Sequence, residues 1–304
     1  MAEPSSPVAS AEQPGAAMLG SRTVRKTIVF VRHGQSEYNK AISETGEDPL
    51  IRDAPLTAEG RRQAQAARVA LAEHRGRLEG AGDGAGSGTV GQGTHGTQGT
   101  GSGRRWLLLV SPLCRAMDTA AEVWPEAFMQ GSVDGGGGGG ARLQVWPELR
   151  EVIVGCDDLG TSPKGLLERY PHLAPQLDSL PEVWWTVPET LRHVSPYGEA
   201  MREAYIKEPD AFEDADEAAT GERVEELVRK LQRVPEELVV IVAHCELIGQ
   251  LTKRLGLSES TGTKDKRPRK GWWLKNCECR VADMLELLPS TEKKEITGNK
   301  RPKL

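Results

Sequence analysis

Three apolar runs, far apart in the chain, constrain the fold most strongly. Residues 26–33 read KTIVFVRH, residues 105–112 read RWLLLVSP, and residues 237–244 read ELVVIVAH. Each run is apolar at nearly every central position, which is typical of a parallel strand that is covered on both faces. Helical periodicity follows the strands. We therefore predict an α/β fold, a three-layer sandwich with a mostly parallel central sheet and helices on both faces.

Local signals predict the remaining elements. Thr57 is placed to cap a helix within residues 53–74, while Ser111 and Pro112 are placed as the cap and first-turn residue of the helix that follows the second run. The other predicted elements are a short strand at 141–149, an amphipathic helix at 222–234, a helix at 246–256 and a late strand at 277–288, on which Cys277 and Cys279 share one face.

Two glycine-rich stretches, at 79–103 and 131–141, hold much of the 34 glycines. Such low-complexity sequence buries little apolar surface, so we expect both stretches to be inserts that stay outside the core. We predict one domain over residues 25–290. A disordered N-terminal tail at 1–24 precedes it, and a C-terminal tail at 291–304 follows it.

Charge and composition exclude some partners. A formal net charge of −5 argues against a general nucleic-acid partner. No apolar run is long enough to cross a membrane, so no membrane partner is expected. The five cysteines form neither a disulfide framework nor a metal motif, which favours a reducing, cytoplasmic location. Pro302-Lys303-Leu304 is similar to the Ser-Lys-Leu peroxisomal address, which is the alternative. The sequence does not determine the oligomeric state.

The strand ends carry the candidate chemistry. Arg32 and His33 end the first run, Arg115 follows the second, and His244 ends the third. In open α/β sheets ligands bind beyond the carboxyl ends of the strands, so these side chains should converge. Guanidinium groups match phosphate oxygens, and an imidazole can attack phosphorus. A carboxylic acid with a raised pKa would then supply the proton that the leaving oxygen needs.

Four motifs occur in order at these positions: VRHGQSEYN, DAPLTAEGRRQA, SPLCRAMDTA and VIVAHCELI. Over residues 26–256 the chain resembles the histidine phosphatase superfamily, also called phosphoglycerate mutase-like. The stretch CDDLGTSPKGLLERYP, with the later WW and NCECR, resembles a plant, algal or fungal-type branch of it.

The resemblance implies a metal-independent phosphatase without a cofactor. It would hydrolyse small-molecule phosphate monoesters through a phosphohistidine on His33. Arg32 and Arg115 would bind the phosphoryl oxygens, Asn39 would contact phosphate, and His244 would stabilise the transferring charge.

The proton donor is less clearly defined by this resemblance. The family pattern places it at Glu151, but Glu148, Asp157 and Asp158 lie close by in the sequence. Cys245 stands where the family more often has glycine, and a thiol beside a cationic pocket could be sensitive to oxidation. Two alternatives to a phosphatase remain: a phosphoglycerate mutase-type phosphotransferase, and a catalytically weak phosphate-binding or scaffold protein of the same fold. Residues 177–200 are more apolar and acidic than basic, which favours the phosphatase over the mutase.

Overall fold

The computed structural model of the protein describes residues 24–80, 106–130, 141–196, 198–257 and 271–287. The predicted inserts at 79–103 and 131–141 and the two predicted tails fall almost entirely outside the described residues. The terminal Pro302-Lys303-Leu304 also lies outside them. The predictions about these segments, and the predicted domain bounds, stay predictions.

One mixed sheet organises the described chain. Its strands are β1 (Val24–Arg32), β2 (Trp106–Val110), β3 (Ala141–Val145), β4 (Leu238–Ala243) and β5 (Cys279–Leu287), in the order β3-β2-β4-β1-β5. β1 to β4 are mutually parallel, whereas β5 runs antiparallel to β1 at one edge. The predicted mostly parallel sheet is confirmed.

Helices surround this sheet. In chain order they are α1 (Glu37–Thr45), α2 (Ala58–Gly80), α3 (Cys114–Val123), α4 (Pro125–Gln130), α5 (Pro163–Arg169), α6 (Ala174–Leu177), α7 (Gly198–Lys207), α8 (Pro209–Arg233) and α9 (Cys245–Arg254). Within the described ranges, no helix is both long and apolar enough to span a bilayer.

Alternate strand residues point into two separate cores. Val29 and Val31 of β1 pack with side chains of α2 and α3, whereas Ile28 and Phe30 pack with side chains of α8 and α9. All four are at most 3% exposed. Because both faces are covered, each strand must be apolar throughout, which explains why the runs do not alternate. The three-layer architecture is therefore confirmed.

Two local predictions were wrong. The helix after β2 begins at Cys114 with Leu113 as its N-cap, and no side chain caps it. Ser111 lies two residues before that N-cap; its hydroxyl accepts a hydrogen bond from the N–H of Leu113 at 3.3 Å and contacts Nε2 of His244 at 2.7 Å. Cys277 precedes β5 and has a left-handed φ of 54°, so it does not share a strand face with Cys279. The helix predicted at 222–234 is real but is the second half of α8.

A close backbone approach joins α2 to the loop after β1. A Cβ on Gly60 would lie 2.1 Å from the carbonyl oxygen of Gln35, and one on Gly34 would lie 2.5 Å from the carbonyl oxygen of Gly60. Thr57, the predicted cap, accepts a hydrogen bond from the N–H of Gly60 at 2.9 Å. Its own N–H donates to Gln35 at 3.0 Å. The start of α2 thus fixes the backbone next to His33.

Candidate active site

His33 directly follows β1 and is 3% exposed. Its Nδ1 lies 2.7 Å from the carbonyl oxygen of Gly34. Because a carbonyl oxygen can only accept a hydrogen bond, Nδ1 carries the ring proton and Nε2 keeps its lone pair. Burial, followed by the positive charges of Arg115 and Arg32, lowers the pKa of His33 well below 6.5. The site therefore holds a neutral imidazole in one defined tautomer.

Two other segments hold the main chain at His33. Its carbonyl oxygen accepts hydrogen bonds from the N–H of Cys277 and the side-chain amide of Asn276, each at 3.2 Å. The N–H of Gly34 donates to the hydroxyl of Thr119 at 3.0 Å. The imidazole thus rests on backbone that is bonded both to α3 and to the segment before β5.

His244 is the N-cap residue of α9, directly after β4. Its ring centroid lies 5.0 Å from that of His33. Nε2 is 2.7 Å from Oγ of Ser111, while the buried Nδ1 has no hydrogen-bond partner in the part of the chain that the structure describes. Burial, followed by the charge of Arg115, lowers the pKa of His244 well below 6.5. Buried polar atoms are normally paired, so this nitrogen is a candidate contact for a ligand.

Arg32 lies beside these rings at the end of β1. Its Nη1 donates to the carbonyl oxygen of Leu274 at 2.9 Å, and its buried Nε has no partner among the described residues. The thiol of Cys245 reaches the same carbonyl at 3.4 Å. Burial raises the pKa of this thiol to about 11. A raised pKa disfavours the reactive thiolate, and the oxidation sensitivity expected of Cys245 stays a prediction.

Arg115, in the first turn of α3, is 2% exposed and is held by two carboxylates. Its Nη1 lies 3.1 Å from Oδ2 of Asp157 and donates to the main-chain oxygen of the same residue at 2.7 Å. Its Nη2 lies 2.5 Å from Oδ1 of Asp158. The guanidinium that the resemblance assigns to phosphate thus has both terminal nitrogens on protein acceptors.

Glu151 caps the N-terminus of α9 from a distant part of the chain. One carboxylate oxygen accepts hydrogen bonds from the N–H groups of Val152 at 3.0 Å and Leu247 at 2.9 Å, and the other accepts from Glu246 at 3.1 Å. His244, the N-cap residue, supplies no side-chain cap of its own. A carboxylate at this position satisfies first-turn N–H groups and complements the positive end of the helix.

Three buried carboxyl groups surround Arg115. Burial, followed by the charge of Asp158, raises the pKa of Glu151 to about 7 and raises that of Asp157 well above 3.8. Burial also raises the pKa of Asp158, although its bond to Arg115 acts in the opposite direction. The single guanidinium cannot balance three negative charges, so the three carboxyls compete for protons as one interacting group.

Two residues of α8 fix the acid segment. Arg223 donates to the carbonyl oxygens of Arg150, at 2.5 Å, and of Glu151, at 3.4 Å. Asp216, which is fully buried, accepts from Arg223 at 3.2 Å and from the N–H of Ile153 at 3.0 Å. The backbone on both sides of Glu151 is therefore bonded to one helix.

Asn39 lies in the first turn of α1 and is partly buried. Its amide oxygen accepts hydrogen bonds from the N–H of Ser36 at 3.3 Å, as part of a capping box, and from Nδ2 of Asn276 at 3.0 Å. Because Asn276 also donates to the main-chain carbonyl of His33, Asn39 is linked to the backbone of His33 through one residue. Its amide oxygen is engaged within the protein, so only its amide nitrogen could contact phosphate.

The structure brings His33, His244, Arg32, Arg115 and Glu151 together around the carboxyl ends of β1 and β4. Glu148 lies apart from them and pairs with Lys230 at 2.8 Å. In the described part of the chain, no group of three or more His, Cys, Asp or Glu residues is arranged to hold a metal ion. Sequence reasoning missed the contacts made by Ser111, Asn276, Asp157 and Asp158. For the last two, the doubled acid beside Glu151 was the available signal.

Residues 28–78 match the family model of the histidine phosphatase superfamily, branch 1. No curated protein matches the chain. Similar solved structures include a mycobacterial glucosyl-3-phosphoglycerate phosphatase, at 20% identity and a TM-score of 0.38, which covers 84% of this chain and 89% of its own. A Thermus thermophilus phosphoglycerate mutase has 18% identity and a TM-score of 0.33, with coverages of 85% and 98%. A mycobacterial hydrolase has 20% identity and a TM-score of 0.35, with coverages of 76% and 78%.

The matched segment contains the second half of β1, His33, α1 and most of α2, and so includes the first of the two histidines. Over this segment the chain is similar to the histidine phosphatase superfamily, branch 1. The resemblance to a plant, algal or fungal-type branch, like the cytoplasmic location, stays a prediction.

Proposed function

We propose that this protein is a metal-independent phosphatase that hydrolyses small-molecule phosphate monoesters through a phosphohistidine on His33. The observation that carries the proposal is the hydrogen bond between Nδ1 of His33 and the carbonyl oxygen of Gly34, at 2.7 Å. It fixes the tautomer that leaves the Nε2 lone pair for attack on phosphorus.

The electrostatics of the site support this role. A phosphoryl group bound beside His33 would meet the guanidinium groups of Arg32 and Arg115 and the unpaired Nδ1 of His244. Charge on the transferring oxygens is stabilised most strongly by such fixed groups in a site from which water is largely excluded. Burial and the same cations keep His33 unprotonated, so it is a nucleophile at neutral pH.

The reaction then has two steps. In the first, Nε2 of His33 forms a bond to phosphorus, the bond from phosphorus to the alcohol oxygen breaks, and Glu151 donates its proton to that oxygen. In the second, the Glu151 carboxylate accepts a proton from water as the water oxygen attacks phosphorus, which releases phosphate and restores His33. A pKa of about 7 suits Glu151 to both directions of proton transfer.

One observation favours hydrolysis over the mutase alternative. A mutase must bind a second anionic group, but residues 177–200 contain only one lysine or arginine, Arg192. That guanidinium pairs with Glu189 at 2.8 Å. Trp184 and Trp185 from the same segment are buried against each other, 5.4 Å between ring centroids. The segment therefore offers little positive charge to a second anionic group.

The test is hydrolysis of para-nitrophenyl phosphate in the presence of a chelator. We expect activity in the wild type and none in His33→Ala, whereas His193→Ala, which removes an exposed imidazole, should retain full activity. A base-quenched reaction with labelled substrate should trap a phosphoenzyme that acid hydrolyses, and only the wild type and His193→Ala should show it.

Equal activity in wild type and His33→Ala would refute the histidine nucleophile. Loss of wild-type activity with chelator would refute the metal-free mechanism. If the folded wild type binds phosphate in calorimetry but turns over no ester, the scaffold alternative would replace the enzyme. Phosphate transfer to 3-phosphoglycerate from a bisphosphate primer would establish the mutase instead.

A further inference from the structure

The residues just before β5 connect α9 to the end of β1. A Cβ on Gly271 would overlap the carbonyl oxygen of Gly249 in α9, so the two backbones are in direct contact. Leu274 is fully buried, and its carbonyl oxygen accepts a hydrogen bond from Nη1 of Arg32 at 2.9 Å. Residues 271–278, the connecting segment, therefore have a defined place beside the site, although neither proposed reaction step uses one of their side chains.

A tight turn in the connecting segment fixes the backbone of Asn276. The N–H of Glu278 donates to the carbonyl oxygen of Lys275 at 2.9 Å, which closes the turn. Cys277 has a φ of 54°, a left-handed conformation that a residue with a side chain adopts only where its surroundings hold it. Its N–H donates to the carbonyl oxygen of His33 at 3.2 Å, and this contact holds the turn against the end of β1. The side chain of Asn276 thus lies beside His33 on a constrained backbone.

The hydrogen bonds around Asn276 define the orientation of two amide groups. The N–H of Ser36 lies 3.3 Å from one amide atom of Asn39, and that atom must be the oxygen because only an acceptor can face an N–H. The amide nitrogen of Asn276 lies 3.0 Å from this oxygen and 3.2 Å from the carbonyl oxygen of His33. Because both partners can only accept, both hydrogens of the Asn276 amide are used.

The two acceptors differ in how much they depend on Asn276. The carbonyl oxygen of His33 also accepts from the N–H of Cys277, so it stays bonded if Asn276 is removed. Among the described residues, the amide oxygen of Asn39 would keep only the N–H of Ser36, at 3.3 Å, which is long for a hydrogen bond of this type. The amide of Asn39 would then be free to rotate, which changes the direction of its nitrogen. Loss of Asn276 should therefore disturb Asn39 more than His33.

We propose that Asn276 is a positioning residue, which holds the amide of Asn39 in the orientation in which the amide nitrogen donates to a bound phosphoryl group. This inference rests on the proposed function and adds a residue to the same site. A donor that contacts the phosphoryl group equally in the bound ester and in the transition state contributes to binding and not to kcat. Asn276 therefore acts on KM, through Asn39.

The first test separates KM from kcat. With para-nitrophenyl phosphate, Asn276→Ala should raise KM about threefold or more and keep kcat within about twofold, because one neutral hydrogen bond to Asn39 is lost. Gln65→Ala is the matched control, since it removes an exposed amide on α2 that donates to Glu122 at 3.0 Å, and it should change neither constant. An unchanged KM in Asn276→Ala, or a fall in kcat that exceeds the rise in KM, would overturn the inference.

The second test asks whether Asn276 acts through Asn39. Calorimetry gives the dissociation constant of inorganic phosphate for the wild type, Asn39→Ala, Asn276→Ala and the double variant. Phosphate should bind about tenfold more weakly to Asn39→Ala and about threefold or more weakly to Asn276→Ala, but no more weakly to the double variant than to Asn39→Ala. A role that is only structural would make the two losses multiply, and that result would overturn the inference.

A third measurement needs no variant at Asn276. The chain contains three asparagines, Asn39, Asn276 and Asn299, so protein that is isotope-labelled at its asparagine amides gives few side-chain signals in NMR. Asn39→Ala should remove one pair of signals and move a second pair, that of Asn276, because the two amides share a hydrogen bond. In the wild type, inorganic phosphate should shift both pairs. A shift of the Asn39 signals alone would overturn the inference, even if Asn276→Ala does not fold.

These results separate the inference from the proposed function. If the wild type hydrolyses para-nitrophenyl phosphate but the two losses multiply, only the role of Asn276 is wrong. If the wild type binds phosphate without hydrolysing the ester, the phosphatase proposal fails, and the calorimetric comparison still decides the role of Asn276. If the wild type does not bind phosphate, both proposals fail.

Discussion

Replacing Glu151 with glutamine tests the proton-donor role proposed for it and keeps part of its helix cap. The substitution keeps the size of the side chain and removes the proton that it donates. The amide oxygen can still accept from Val152 and Leu247, which lie at 3.0 and 2.9 Å from one carboxylate oxygen. The new amino group would face the N–H of Glu246, where the other oxygen now accepts at 3.1 Å.

The expected loss of activity depends on the leaving group. General acid catalysis contributes about 10²–10⁴-fold, and an alkyl alcohol needs all of that assistance because its anion is a poor leaving group. Nitrophenolate leaves without a proton. We expect Glu151→Gln to lower kcat/KM for glycerol 3-phosphate by roughly 10²-fold or more, and for para-nitrophenyl phosphate by no more than about tenfold. The fall in activity above the donor's pKa of about 7 should disappear in the variant.

The stability of the fold should change with the same ionisation. A pKa raised from 4.5 to about 7 means that the folded state binds this proton more tightly than the unfolded state does. Stability from this group is therefore complete below about pH 4.5 and is lost as the pH rises to 7. The loss is on the order of 3 kcal/mol. Glu151→Gln should flatten this part of the stability profile.

The assay measures both esters across the pH range and urea unfolding near pH 5 and pH 8. Glu148→Gln is the matched control, because Glu148 pairs with Lys230 away from the site. It should leave the pH dependence of activity unchanged and lower the free energy of unfolding by no more than about 1 kcal/mol, as loss of a surface ion pair does. An equal loss of activity for both esters would refute Glu151 as the donor. So would a pH limb near 7 that survives in the variant, which would transfer the role to Asp157 or Asp158.

Two further substitutions test how the histidines are supported. Gly60→Ala should lower the free energy of unfolding by about 2 kcal/mol or more and lower kcat, because its Cβ would lie 2.1 Å from the carbonyl oxygen of Gln35. Urea unfolding measures the change. A gain in stability of about 1 kcal/mol, as for an ordinary helical Gly→Ala change, would contradict the close approach. Ser111→Ala should lower kcat about tenfold with little change in KM, because it removes the hydroxyl that lies 2.7 Å from Nε2 of His244. Unchanged steady-state kinetics would show that this hydroxyl does not orient the His244 ring.

The strands and their chemistry could be predicted because they are local in sequence. β1, β2 and β4 are continuous apolar runs. Once such a run is recognised, the polar residues just after it can be placed at the carboxyl end of the strand. That is why the amino-acid sequence alone could assign His33 and His244 to one crevice and Thr57 to a helix cap. These features need only a short window of sequence and the rule that parallel strands share a carboxyl edge.

The predictions that were wrong, and the contacts that were missed, involve segments that are distant in the sequence. Local patterns favour a helix-cap role for the side chain of Ser111, but His244 lies within its reach only in the folded chain. The pattern around Cys277 favours a strand, yet its N–H bonds to the carbonyl of His33 at 3.2 Å and its backbone turns instead. No local pattern shows that Asp157 and Asp158 hold Arg115, since the three meet only through the loop after β3.

The cap that Glu151 makes on α9 has a consequence for how this protein could be altered. Glu151, the proposed proton donor, is bonded to the first turn of α9, and His244 is the residue before that turn. A tilt or shift of α9 would therefore carry both groups in the same direction relative to His33. For a protein engineer the two side chains are therefore coupled. Substitutions on the outer face of α9 that shift the helix would move Glu151 and His244 together, and such substitutions could not reposition one without the other.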